Sequence, residues 1–470
     1  MKCFINGEWT SLNKQMDVID PFDSSIIDTV PVATRAEMTT AIDYAVTGAQ
    51  TAKAMPTHQR CQILRDVADL LLARSEKFAI NIAREGIKTI REARGEVRRC
   101  AETIRIAAES ARTIVGETIN FDQMPGSENR IGHFSRNPIG IIAAITPFND
   151  PLNLVAHKIA PAIAAGNAVI LKPHTETPLS ALMLGELFHE AKLPKAVLQI
   201  VTGVGSVIGD TLVTDPRIRM VSFTGGRATG EKIIARAGLK KIGMELGSNS
   251  AVIVMADADL ENAVANTVSG AYWAAGQNCL HVQRILVQDS VYDKFKQNFV
   301  TLAKGYKVGN KLDEDTDMGC IITESAAQNI EELLTDALDR GADLVMGGKR
   351  DGTLFQPTLI ENVPEGARLH QEEVFGPVSL LYRFNHLDKA IEILNNVDFG
   401  LQHGIFTKDL STALDASKRM DCGGVIINDS GDYRIDAMPF GGVKGSGLGR
   451  EGIKFAIEEM TEIKMVCFNI

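Results

Sequence analysis

Apolar residues recur at helical spacing through 41–54, 59–83 and 91–114, so the stretch 35–115 is predicted to be rich in helix. Beyond it the pattern changes to short apolar runs. Residues 140–145, 168–171, 197–201 and 220–223 read as strands, with helical patterns at 153–165, 179–191 and 231–235 between or after them. That alternation predicts an α/β chain with a doubly wound, dinucleotide-binding sheet. A second α/β block starts near 247 and runs to about 448. The tail begins helical at 454 and ends in an apolar strand over 463–468 with little local partner. The opening Cys3-Phe4-Ile5-Asn6-Gly7-Glu8-Trp9 reads as a hairpin turning at Asn6-Gly7. No fixed-period repeat and no low-complexity tract interrupts this organisation.

Composition narrows the picture. A chain of 470 residues is long enough for two or three domains, and 45% apolar with 23% charged residues is ordinary for a globular protein. The net charge of −10 argues against nucleic acid or an anionic membrane as the main partner. The 7 cysteines are odd in number and show no C-x-x-C spacing. Free thiols in a reducing compartment are expected, with no metal site. No apolar signal-peptide core stands at the start and no 18-residue apolar run suggests a membrane span, so cytoplasm is the expected location.

Two segments suggest chemistry. Met244-Glu245-Leu246-Gly247-Ser248-Asn249-Ser250 holds a carboxylate in an apolar, Gly-flanked run. Gly276-Gln277-Asn278-Cys279 holds a thiol among small and polar residues, just after a helix-like run. A thiol attacks as thiolate and needs a lowered pKa or a nearby base. A carboxylate in apolar surroundings has a raised pKa and serves as a general base near neutrality. The pair fits covalent thioester chemistry, in which the cysteine attacks a carbonyl and the carboxylate later activates water.

These segments stand in order with Pro147-Phe148-Asn149, Leu171-Lys172-Pro173, Phe223-Thr224-Gly225, Glu373-Val374-Phe375-Gly376-Pro377 and Pro439-Phe440-Gly441-Gly442. In order and spacing, over essentially the whole chain, the sequence resembles the aldehyde dehydrogenase superfamily. The resemblance implies that Cys279 is the nucleophile. It also implies that the Asn149 amide, with the Cys279 backbone N–H, donates to the oxyanion. Glu245 is then the base that activates water. Members that pass the acyl group to coenzyme A commonly lack this Glu, so its presence favours release of a free acid. A coenzyme-A-acylating dehydrogenase and a non-catalytic protein of the same fold are the alternatives; the second is disfavoured because Cys279, Glu245 and Asn149 are all present. One departure is Ser248, where the family usually has a second Gly.

For the cofactor, NAD or NADP, the resemblance points to Phe223, Thr224, Gly225, Gly226 and Gly230. Gly225 and Gly230 are read as letting backbone approach a pyrophosphate at a helix N-terminus. Lys172 would bond the adenosine ribose, Glu373 the nicotinamide ribose with Phe375 beside it, and Gly205 and Leu246 complete the set. NAD-preferring members often have Glu where Thr175 stands here, so NADP or dual use is expected. Within the superfamily the chain is similar to the lactaldehyde and non-phosphorylating glyceraldehyde-3-phosphate dehydrogenase group. Arg99, in Glu96-Val97-Arg98-Arg99, matches a substrate-binding arginine of that group. Arg434, in Asp432-Tyr433-Arg434, matches another one residue displaced. A third is replaced by Asn278. A small oxygenated or anionic aldehyde is expected: lactaldehyde, glyceraldehyde, its phosphate, or a sulfonated or carboxylated analogue. The resemblance implies a Rossmann-like dinucleotide-binding domain over 1–117 and 138–246, a catalytic domain over 247–448, and a small β oligomerisation element over 118–137 and 449–470. A homodimer or homotetramer follows from that element; the alternative is a tail strand that closes its own domain.

Overall fold

A computed structural model describes all of residues 1–470. Two large sheets organise it. In the first, the strands Leu198–Ile200, Ala168–Lys172, Ile141–Ile145, Ile218–Thr224 and Lys241–Glu245 lie side by side and parallel. The chain builds outward from Ile141–Ile145 in one direction and then in the other. The order therefore reverses between Ile141–Ile145 and Ile218–Thr224, which is the topological switch point where loops at the strand ends diverge and leave a crevice. The N-terminal hairpin Cys3–Ile5 and Glu8–Thr10 closes one edge antiparallel, and Gly447–Leu448 closes the other. Both faces are covered, as a parallel sheet requires: one apolar cluster of 52 buried residues lies on one side and one of 22 on the other.

The second sheet runs Asp343–Met346, Thr358–Glu361, Val378–Phe384, Arg284–Gln288, Ala251–Val254, Gln402–Phe406 and Gly424–Ile427, parallel except at its first pair. A third, three-stranded antiparallel sheet joins Glu117–Asn120, Arg130–Pro138 and Thr461–Asn469.

The element boundaries differ from the sequence pattern in two informative places. The helix expected over 59–83 is two helices, Thr57–Ala73 and Ser75–Glu85, because Arg74 leaves helical geometry and its guanidinium turns to Glu190. Apolar periodicity runs through that break without Gly or Pro, so the pattern hides it. The helix expected over 231–235 starts earlier, as Arg227–Ala237, with Gly226 at its N-cap. The tail strand has its partner in Arg130–Pro138, a segment distant in sequence and paired over nine residues.

Candidate active site

Cys279 follows a run of unusual backbone. Ala274, Ala275 and Gly276 all have positive φ, at 51°, 53° and 67°. Only glycine fits at Gly276, where a Cβ would stand 2.2 Å from the Gly376 carbonyl oxygen. Two alanines in the left-handed region cost roughly 1–2 kcal/mol each and must be held there. The Glu92 carboxylate, from the first turn of the helix Ile90–Ser110, accepts from Ala274 N at 2.8 Å. Gln277 ties the turn to the 320–322 segment through bonds to Cys320 O and from Ile322 N. The thiol itself is half-buried against Leu280, Leu401 and Phe440. Burial pushes it well above the ordinary thiol range; the Arg434 charge pulls it back, and Glu373, Glu245 and Asp150 add to the rise. It rests protonated.

Glu245 ends the strand Lys241–Glu245, buried, with Oε2 unpartnered. Burial and the neighbouring Glu451 raise its pKa well above the usual carboxylate range, against the pull of Arg434, Lys158 and Arg450. A cavity of about 10 Å³ beside it is lined by Lys158, Ser222, Arg450 and Glu451 and is near the volume a single water needs. Asn149 lies buried in the loop after Ile141–Ile145, and Asp150 next to it accepts from Lys88. The structure thus brings Cys279, Glu245 and the Asp150 side of the Asn149 loop close enough for their charges to act on one another.

Sequence reasoning missed the groups that hold this centre. Lys158, buried in the helix Asn153–Ala164, donates to Ser222 Oγ at 3.1 Å and Glu451 Oε1 at 3.2 Å. Glu451 also pairs with Arg434 at 3.2 Å. Burial opposes its charge, but Lys158, His157 and Arg434 more than offset that and hold its carboxyl at about 2. Asp436 accepts from Arg99 at 2.8 Å and bonds His157 at 2.9 Å. Burial works against it, yet His157 and Arg99 keep it far below the usual range. A lysine inside an otherwise apolar helix was the available signal, because such a charge needs a partner.

Both arginines named from the sequence are at the site, and both are already paired. Arg434 stacks on the Phe440 ring at 3.7 Å while bonding Glu451, and its Nε is buried without a partner. Arg99 is the inward member of its pair and bonds Asp436, whereas Arg98 is exposed.

Most of the residues expected to bind the cofactor gather at the carboxyl ends of the first sheet. Lys172 ends its strand, nearly buried, with Nζ on Pro173 O at 2.9 Å; burial lowers its pKa to about 8. Gly205 opens a short π-helical turn, Gly205–Gly209, facing Lys172. Phe223 and Thr224 end the strand Ile218–Thr224, two places along the sheet, and Gly225 N bonds Glu245 O at 3.0 Å, tying this loop to Glu245. Open space surrounds Gly226 at the N-cap of Arg227–Ala237, and the buried Thr224 Oγ1 lacks a partner. A helix N-terminus with free N–H groups, an idle hydroxyl and a buried lysine fit the phosphates and ribose of a dinucleotide. The structure gives Gly230 a different reason from the one expected: it lies inside the helix, and a Cβ there would stand 2.4 Å from Leu246 Cδ2. It lets the helix pack on Leu246. Glu373 accepts from Ser248 N at 2.7 Å, so the residue standing where a Gly is usual keeps its N–H in play. Phe375, at φ 48°, sets its ring edge-on to Phe148. Thr175 is half-buried and Glu176 exposed.

The chain belongs to the aldehyde dehydrogenase family, whose model matches residues 9–466. It is 48% identical to aspartate-semialdehyde dehydrogenase 1 of Pseudomonas canavaninivorans, covering 97% of each chain. It is 43% identical to 3-sulfolactaldehyde dehydrogenase of Priestia aryabhattai, covering 99% of this chain and 98% of that one. The glyceraldehyde-3-phosphate dehydrogenase GapN of Methanocaldococcus jannaschii, solved in complex with NADP, superposes with a TM-score of 0.94 at 41% identity, over 98% of this chain and 100% of that chain. The protein is an NAD(P)-dependent aldehyde dehydrogenase with the fold of that family. No helix is long and apolar enough to cross a membrane.

Proposed function

We propose that the protein oxidises a small polar or anionic aldehyde to the free acid through a thioester on Cys279. The observation that supports this best is Glu245, a buried carboxyl whose Oε2 is unpartnered, near enough to Cys279 for its charge to bear on the thiol. Sγ adds to the carbonyl carbon as its proton passes to solvent, giving a thiohemiacetal whose oxyanion accepts from the Asn149 amide and the Cys279 N–H. The nicotinamide, when bound, is the hydride acceptor. Loss of hydride from the thiohemiacetal carbon leaves a thioester. Glu245 takes a proton from water as the water attacks that carbonyl, and the acid departs as the sulfur takes up that proton and the thiol is restored.

The relatives named above act on aldehydes with a polar or charged far end, which supports a short substrate of that kind. Thr175 in place of a carboxylate and the NADP complex of the solved relative support NADP or dual use. The exposed apolar strand Thr461–Asn469 supports a homodimer or homotetramer, with 118–137 and 449–470 as the assembly element, 1–117 and 138–246 as the dinucleotide-binding domain and 247–448 as the catalytic domain. The free cysteines accord with a reducing compartment such as the cytoplasm.

Rapid mixing with propanal tests the chemistry. Cys279→Ala should bind cofactor but not turn over. Glu245→Gln should release about one equivalent of reduced cofactor quickly and then stall, because hydride loss precedes hydrolysis. A normal steady-state rate for Glu245→Gln overturns the assignment of the base, and a wild-type enzyme that turns over only when coenzyme A is added would favour the acylating alternative.

A further inference from the structure

Lys88 stands in the short link between the helices Ser75–Glu85 and Ile90–Ser110, with its side chain only 1% exposed. A buried ammonium needs opposite charge beside it. Two carboxylates supply it: Glu96, whose Oε2 accepts at 2.8 Å, and Asp150 through Oδ1. Both lead to the loop that carries Asn149. Asp150 is the next residue along. Glu96 turns its other oxygen to Leu152 N at 2.8 Å and Asn153 N at 3.0 Å, donors left over where the helix Asn153–Ala164 begins. Lys88 therefore grips residues 150–153 at both ends, once directly and once through Glu96. Pro147 and Pro151 stiffen the backbone on either side of Asn149, so its amide moves with the segment.

The same ammonium reaches the nucleophile turn. Its Nζ lies 4.7 Å from the centroid of the Trp273 ring, within cation–π range, and Trp273 directly precedes the left-handed Ala274, Ala275 and Gly276. Ile87, beside Lys88, packs with Ala274 and Ile322. Phe148, beside Asn149, joins Trp273 against that cluster. One link of chain thus touches both the segment that presents the thiol and the segment that presents the amide. A cavity of about 500 Å³ opens at this junction, with Lys88, Glu96 and Trp273 in its wall, so the clamp stands where a small aldehyde has room to approach.

We propose that Lys88 is a positioning residue for the reaction: through Asp150, Glu96 and Trp273 it fixes where the Asn149 amide stands relative to the Cys279 thiol, and so how well the oxyanion is held. This rests on Cys279 being the nucleophile and Asn149 a donor to the oxyanion. Such a donor acts only within hydrogen-bond distance of the oxygen where charge develops. A misplacement of about 1 Å costs on the order of a hundredfold in rate with the reacting groups themselves intact. Loss of the clamp therefore shows in the steps that pass through an oxyanion, and not in the reactivity of the thiol.

Two measurements separate these. Formation of reduced cofactor in a single turnover, with enzyme in excess over propanal, reads the step that passes through the oxyanion. Alkylation of Cys279 by iodoacetamide, followed by mass spectrometry of its peptide, reads the thiol alone, because displacement at a saturated carbon forms no oxyanion. Lys88→Met combined with Asp150→Asn removes one charge of each sign, so neither is left buried without the other. That variant should slow the single turnover roughly tenfold or more and change alkylation less than about threefold. Asn149→Ala should slow the single turnover further, and adding the Lys88 and Asp150 changes to it should slow it no more, because the clamp then has no amide to place. Losses that multiply, or alkylation that falls as far as turnover, assign Lys88 to the general fold and overturn the proposal. Should the paired variant not fold, Asp150→Ala, which leaves the Lys88–Glu96 pair whole, takes its place in the same comparison. A normal single turnover in Asn149→Ala sinks the oxyanion reading and the proposal together. An impaired Asn149→Ala beside a normal Lys88 variant sinks the proposal alone.

Discussion

Glu373 is a carboxyl poised between two states. Burial raises its pKa to about 7, with the Ser248 N–H pulling the other way. Below about 7 it is neutral and holds a proton; above, it is a carboxylate with acceptor oxygens only. If it holds the ribose hydroxyls, the ionised form accepts from them better, so cofactor affinity should rise with pH through about 7 and fall on acidification. The expected change is several-fold across pH 6 to 8, measured as the dissociation constant by fluorescence titration. Glu373→Gln should bind more weakly at pH 8 and lose that dependence. A variant that keeps the wild-type profile assigns the pH effect to another group.

At the scale of elements, the turn before the nucleophile depends on a helix that contributes no attacking atom. Thr89 and Glu92 form a capping box at the start of Ile90–Ser110, and Glu92 uses its other oxygen on Ala274 N. One carboxylate therefore fixes a helix N-terminus and a pair of alanines in the left-handed region. Glu92→Ala should cost about 1–3 kcal/mol of stability through the cap and the orphaned N–H. It should also lower kcat at least tenfold and alter the rate of Cys279 alkylation by iodoacetamide, because the turn relaxes. Glu92→Gln, which keeps a carbonyl for Ala274 N, should recover most of that rate; equal defects in both variants would make the charge, not the bond, responsible.

What was legible in the sequence follows the same physics. The strands 140–145, 168–171 and 220–223 were readable because parallel strands buried on both faces are short unbroken apolar runs. Cys279 and Glu245 stood out by their types and neighbours, and Asn149 by the resemblance alone; their roles are the proposal that the burst experiment tests. Asp436, Lys158 and Glu451 did not stand out, since each gains its meaning from a partner far along the chain: Asp436 meets Arg99 across a separation of 337 residues, and Lys158 meets Glu451 across 293. Arg99 and Arg434 were legible as cations near the site but not as cations already neutralised. The break at Arg74 was silent because helical periodicity passes through it.

At the scale of the molecule, the three-stranded sheet poses a problem that a single chain leaves unsolved. Thr461–Asn469 is its edge strand, nine residues long, paired on one side only, with Arg130–Pro138. Ile463, Met465, Phe468 and Ile470 along or just beyond it are each at least half exposed, and so is Ile131 on its partner strand. An edge this long, with apolar side chains, is a template for pairing with another chain. A second copy offers the self-complementary partner that the commonest closed symmetry needs. The first and second sheets close themselves with short or antiparallel edges, so the longest open edge of the molecule is here. Ile463→Lys with Met465→Lys places two charges on one face of the strand, two residues apart and therefore pointing the same way. Sedimentation at micromolar concentration should show wild type as a dimer or larger and the double variant shifted to a smaller species, with its circular dichroism unchanged because neither residue lies in a core. A wild-type chain that sediments as a monomer, or a double variant that assembles as wild type does, would assign this strand to the closure of its own sheet.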